Sequence, residues 1–142
     1  MQPMPQDVQA AFDAFAPAVR HRLAGIRAMI FAIAAEDARI GAITEALKWG
    51  EPAYLTAATR SGSTIRLGQS RRSLQHAAIH FICHTSLVAE FRERFGDRFA
   101  YDGNRSVLLP VSGDIEPAPI EMLLASALTY HLRPRLLAAR IG

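Results

Sequence analysis

Three histidines at intervals of four, His76, His80 and His84, with Cys83 beside the last of them, are the first residues in this sequence whose types and spacing could do chemistry. Imidazole nitrogens and thiolates are ordinary zinc ligands, and a thiol beside an imidazole can serve as a nucleophile with its base. The segment that carries them, HAAIHFICH, alternates with a period of two and predicts a strand over residues 76 to 84. Ala77, Ile79, Phe81 and Cys83 then share one face, and His76, Ala78, His80, Ile82 and His84 the other. At about 3.3 Å per residue, side chains four apart in a strand stand roughly 13 Å apart, while a Zn–N bond is about 2 Å, so no two of these histidines reach one ion. Cys83 shares a face with Ile79 and Phe81 and reads as a small core residue rather than a nucleophile. His131, on the apolar stripe of a C-terminal helix, reads as a core histidine. No metal site, cofactor or catalytic residue is expected, and the chain carries no phosphate loop, nucleophile elbow or zincin motif, so it is not expected to be an enzyme.

A second constellation is polar. If residues 58 to 62 form a regular hairpin turn, Tyr54 falls opposite Arg66 and Thr56 opposite Thr64; with 69 to 75 as the next turn, Ala78 and His80 continue the two rows. Tyr54, Arg66 and His80 then form a shallow polar floor, with Lys48 and Trp49 at its corner and Tyr101 and Arg105, from YDGNR, at its rim. A guanidinium fork matches two oxygens of a carboxylate or phosphate, and flanking aromatic rings can stack on a flat ligand. The commoner use of such arginines is structural, with Arg66 paired to Glu51 and Arg105 to Asp102. Trp49 reads first as an architectural corner that buries a large apolar area, and second as a pocket wall.

These residues must be positioned by the elements between them. Asp7 can cap a short helix carrying Val8, Phe12 and Phe15, and Pro17 opens a longer one whose apolar positions Val19, Leu23, Ile26, Ile30 and Ile33 recur at four and three. Asp37 is expected to cap a third helix with Ile40, Ile43 and Leu47 on one stripe, stopped by Gly50 and Pro52, so that Trp49 lies in its last turn. Strands are expected from Ala53, over TIRLG, and over 76 to 84. A helix capped by Thr85 and ended by Gly96 follows. A turn at Asp102-Gly103-Asn104 leads to a strand with Val107, Leu109 and Val111 on one face, and Pro117 and Pro119 introduce the last helix. The order predicts an α+β fold: a small curved antiparallel sheet covered on one face by helices.

At 142 residues and 15.6 kDa the chain suits one domain, spanning 1 to 142, and its single cysteine excludes an internal disulfide. A net charge of +3 from 16 basic and 13 acidic residues is modest despite a pI of about 9.6, so nucleic acid is not an expected partner. Nothing reads as a signal peptide or membrane span, which gives a cytoplasmic location and no membrane partner as expectations. The terminal RPRLLAARIG carries Leu136 and Leu137, which can close the domain or a homodimer.

In this order, EALKWGEPAYLT, SGSTIRLG, LVAEFRERFGDRFAYDGNRSVLL and LASALTYH resemble the YdhG-like bacterial family of domains of unknown function, over roughly residues 18 to 132. The resemblance implies a small α+β domain of frataxin-like shape, and some relatives are described as intracellular iron chaperones. Frataxin-type iron handling uses an acidic helical surface, whereas the first 35 residues here hold only Asp7 and Asp13 against Arg20, Arg22 and Arg27. The expected function is a non-enzymatic binding domain for a small anionic or aromatic ligand or a protein partner. The alternative is a frataxin-like iron-binding chaperone using acidic residues such as Glu90 and Glu93.

Overall fold

A computed structural model describes residues 2 to 134. Leu136 and Leu137, and with them the proposed dimer closure, lie outside the described residues. The chain forms helices α1 (Gln6–Ala14) and α2 (Pro17–Glu36), then strands β1 (Thr44–Lys48), β2 (Glu51–Leu55), β3 (Ile65–Gln69) and β4 (His76–His80). Helix α3 (Leu87–Phe95), strands β5 (Ala100–Asp102) and β6 (Ser106–Pro110) and helix α4 (Pro117–Leu128) complete it. The six strands make one open antiparallel sheet in the order β1-β2-β3-β4-β6-β5. The α+β reading therefore holds.

Alternation divides the sheet into two faces. Ile65, Leu67, Ala77, Ile79, Val107 and Leu109 point toward the helices and join Val19, Leu23, Ile26, Ile30, Ile120 and Leu124 in one core. Among the described residues no helix packs on the other face, and its central rows carry Ala53, Gly68 and Ala78. Helix α4 is anchored at its C-terminal end, where the N–H of Ser63 donates to the carbonyl of Ala127 (2.8 Å) and the Ser61 hydroxyl to that of Leu128 (2.9 Å). These bonds satisfy carbonyls that the helix itself leaves free.

The third helix expected after Asp37 does not exist. Asp37 instead terminates α2, its carboxylate accepting from the N–H and guanidinium of Arg39, and Gly41 at φ 70° turns the chain into β1. The apolar spacing of Ile40, Ile43 and Leu47 fits a helix, but pairing with β2 along Thr44 to Lys48 overrides it. The reason lies in Glu45. As a strand residue it faces α2, where Arg27 grips its carboxylate through Nε (2.6 Å) and Nη2 (2.8 Å), and Tyr54 donates its hydroxyl to the same carboxylate (2.8 Å). The side chains of Arg27 and Glu45 are 6% and 4% exposed.

Trp49 is corrected with it. Lys48 pairs with Glu51, so Trp49 and Gly50, at φ 55° and 77°, are the two-residue tip of the β1–β2 hairpin. Both central residues at positive φ is the turn type that matches strand twist, and it favours Asn-Gly. The indole buries nothing: Trp49 is 91% exposed. Strand β4 also ends sooner than expected, at His80, and the chain leaves the sheet after Phe81. Alternation therefore stops, and Cys83 is exposed rather than in the core; His131, in a 3-10 turn after α4, is exposed as well. Ser86, not Thr85, precedes α3.

Three outcomes are expected in urea melts. Arg27→Ala leaves a buried carboxylate without its cation and costs about 3 to 5 kcal/mol, while Tyr54→Phe removes one bond to that carboxylate and costs about 1.5 to 3 kcal/mol. Trp49→Asn relieves a bulky residue of a left-handed backbone and raises stability by about 0.5 to 1 kcal/mol.

Candidate functional site

The predicted pairing of Tyr54 with Arg66 is displaced by one residue. Ala53 stands opposite Arg66 and Tyr54 opposite Ile65, because the strands pair about a centre between residues 59 and 60 rather than about residue 60, the centre of a hairpin turn over 58 to 62. A shift of one sends each side chain to the other face. Tyr54 thus lies under α2, where burial and then its bond to Glu45 push its phenol well above the usual range. It is a structural residue. Tyr101, opposite Val107, also lies on the helix side, donating its hydroxyl to the Gly96 carbonyl (2.9 Å) and stacked by Arg92 (4.5 Å). Burial raises its phenol too. Neither tyrosine belongs to a floor with Arg66.

Arg66 and His80 do share the open face, as direct partners across β3 and β4, and His80 is followed in the same row by Ser106. Here the sheet carries a polar cleft of about 170 Å³ lined by Glu51, Arg66, Ser70, Arg71, His80, Asp102, Arg105, Ser106 and Leu108. Arg105 reaches it from the β5–β6 turn, and Arg71 from the β3–β4 connection. That connection is held in shape by Gln69, whose amide N–H groups donate to the carbonyls of Ser73 (3.0 Å) and His76 (2.8 Å). Lys48 and Trp49 are at the hairpin end of the same face and do not line the cleft.

Inside the cleft, Glu51 is the central counter-charge. Its carboxylate accepts from Arg66 Nη1 at 2.5 Å and stands 3.5 Å from His80 Nε2. The carboxylate lies directly over Gly68, where an added Cβ would meet Glu51 Oε2 at 1.9 Å. His80 is fixed from its other side by Nδ1 against the Ser106 hydroxyl at 2.6 Å. The expected pair of Arg66 with Glu51 is present, whereas that of Arg105 with Asp102 is not: Asp102 stands 3.9 Å from Arg72 instead. Among the described residues, neither Arg71 nor Arg105 has a carboxylate within salt-bridge distance. Three guanidinium groups thus meet two carboxylates, with two seryl hydroxyls as further donors.

Such a cleft can hold an oxyanion, because guanidinium donors match its oxygens and the sheet floor excludes water from one side. The histidines do not converge: His76 bonds the Ser73 hydroxyl (2.8 Å), His80 that of Ser106, and His84 is exposed in a turn. No group of three or more His, Cys, Asp or Glu able to hold a metal ion occurs among the described residues. A wider and more open depression of about 460 Å³ lies between α3 and α4, where Leu87, Phe91, Phe95, Met122 and Leu123 are joined by Glu90, Glu93, Arg94 and Ser126.

Sequence reasoning reached Arg66, His80 and Arg105 and missed Arg71, Ser70, Ser106 and the central place of Glu51. Arg71 and Arg72 are adjacent in the sequence, but only the tertiary structure brings Arg71 over the open face. No family model matches the chain, and comparison with curated proteins and with solved structures also finds no match.

Gly68→Ala is expected to evict the Glu51 carboxylate from Arg66 and to cost about 1 kcal/mol in a urea melt, the price of a half-exposed ion pair. In a Glu51→Ala background the same change should be neutral or stabilising, since alanine suits a strand better than glycine. A large cost in both backgrounds would show that backbone rather than Glu51 fills the space.

Proposed function

We propose that this chain is a non-enzymatic binding domain whose ligand presents a small oxyanion, a phosphate or carboxylate group, to the cleft of Arg66, Arg71 and Arg105. The observation that carries the reading is the surplus of guanidinium groups over carboxylates in one cleft, with Arg71 and Arg105 lacking a carboxylate partner among the described residues. Ser70 and Ser106 add hydroxyl donors. Glu51 occupies Arg66 when the cleft holds no ligand and is the group an incoming anion displaces. The earlier resemblance to the YdhG-like family is consistent with this reading and adds no ligand to it.

The experiment is a thermal-shift titration with inorganic phosphate and with small dicarboxylates. A ligand at a hundred times its Kd stabilises the folded state by about 2.7 kcal/mol, so millimolar binding is visible. Arg105→Ala should weaken binding at least about tenfold, and Glu51→Gln, which removes the competing charge, should tighten it about tenfold. An anion response that is unchanged in Arg105→Ala, or no response to any anion tested, overturns the reading.

A further inference from the structure

The two barest large apolar side chains in the described structure are Trp49, 91% exposed, and Leu74, 82% exposed. The antiparallel topology brings them to the same end of the sheet. Trp49 is the tip of the β1–β2 hairpin; Leu74 lies on the β3–β4 connection, residues 70 to 75, and the start of β2 adjoins the end of β3. Both stand on protruding turns rather than in a groove. Lys48 adjoins Trp49, and the connection that bears Leu74 also carries Arg72, whose side chain is 68% exposed, and Arg71, which turns into the cleft.

Trp49 contributes nothing to the fold that a smaller residue would not. It covers no neighbour and holds a backbone conformation that bulky residues disfavour. A protruding indole and a protruding leucyl side chain, ringed by cations, have the chemistry of the water–lipid interface: the apolar bodies enter the acyl boundary while the cations stay at the headgroups. Anionic headgroups attract each nearby Lys or Arg within a Debye length. Among the charges at this end, Glu51 is held by Arg66, and on the adjoining 111–116 connection Glu116 is paired with Arg98, leaving Asp114 as the opposing charge; Arg72 reaches back to within 3.9 Å of Asp102, at the β5–β6 turn.

We propose that this end of the sheet is an interfacial docking surface for an anionic lipid bilayer, with Trp49 and Leu74 inserting and Lys48 and Arg72 contacting headgroups. Such a contact needs no spanning helix, and no helix among the described residues is long and apolar enough to be one. It is independent of the oxyanion reading, which concerns the cleft.

The chain's single tryptophan makes the test direct, because all indole emission reports on position 49. Vesicles of phosphatidylcholine alone and with phosphatidylserine are titrated into the protein, following emission and co-sedimentation. Expected are a blue shift and co-sedimentation with the anionic vesicles alone, both weakening as salt is raised. Leu74→Ser and Trp49→Ala should each lower co-sedimentation about tenfold or more, and Lys48→Gln with Arg72→Gln should lower it likewise. Leu74→Ser and Trp49→Ala, both at exposed positions, should fold normally by circular dichroism. Arg105→Ala, in the cleft, should leave vesicle binding unchanged; losing it would mean that the cleft grips a headgroup, and would overturn insertion at the tips. Equal binding to neutral vesicles, or no blue shift with anionic ones, also overturns the proposal.

Discussion

The bidentate grip of Arg27 on Glu45, shared by Tyr54, is the contact on which the rest of the architecture depends. It joins the middle of α2 to β1 and β2 at once, and all three side chains lie in the core. Two charges removed from water are tolerable only when nearly every polar atom has a partner. Here the guanidinium also donates to the carbonyl of Gln2 (2.8 Å) and lies over the ring of Phe31 (4.9 Å), which itself meets Tyr54 edge-on. The bond to Glu45 holds the guanidinium even more firmly charged than usual. A helix at residues 44 to 48 would not present Glu45 in this place, so the pair selects the strand and, through it, the hairpin whose tip is Trp49.

That choice fixes what the open face can do. With Tyr54 committed to the covered side, the register of β2 puts Glu51 and Ala53 on the open side next to Arg66 and Gly68. The small residues Ala53, Gly68 and Ala78 leave room above the sheet for long charged side chains to lie across it. Glu51 uses that room most directly, resting over a residue that has no Cβ. Arginines from β3, from the β3–β4 connection and from the β5–β6 turn then meet in one cleft, although 39 sequence positions separate Arg66 from Arg105.

The two outward-facing features differ in kind. The cleft is concave and polar, built on the rigid middle of the sheet, and suits a small charged group. The hairpin tip and the neighbouring connection are convex and apolar at their extremities, and suit a soft, extended surface.

Much of this was legible from residue order alone. The four-and-three spacing of Val19, Leu23, Ile26 and Ile30 determined α2, because a 3.6-residue period allows one apolar stripe and the core takes it. Alternation determined β4 and β6 and put Arg66 and His80 on one face, although a turn centred in 69 to 75 sets Ala78 opposite Arg66 and the structure sets His80 there. Strand spacing set His76 and His80 apart along β4, while His84, expected on the same strand, lies beyond its end. What the sequence left open was decided by partners distant in the chain. Ile40, Ile43 and Leu47 suit a helix as well as their neighbours suit a strand, and only Arg27, 18 residues before Glu45, breaks the tie. The register of β2 on β3 differed by one position, and a shift of one exchanges faces, so Tyr54 left the site while Glu51 entered it; Tyr101 left it through its pairing with Val107 across β5 and β6. The exposure of Trp49 and Cys83 followed from where strands end, which pairing with other strands sets and local composition does not.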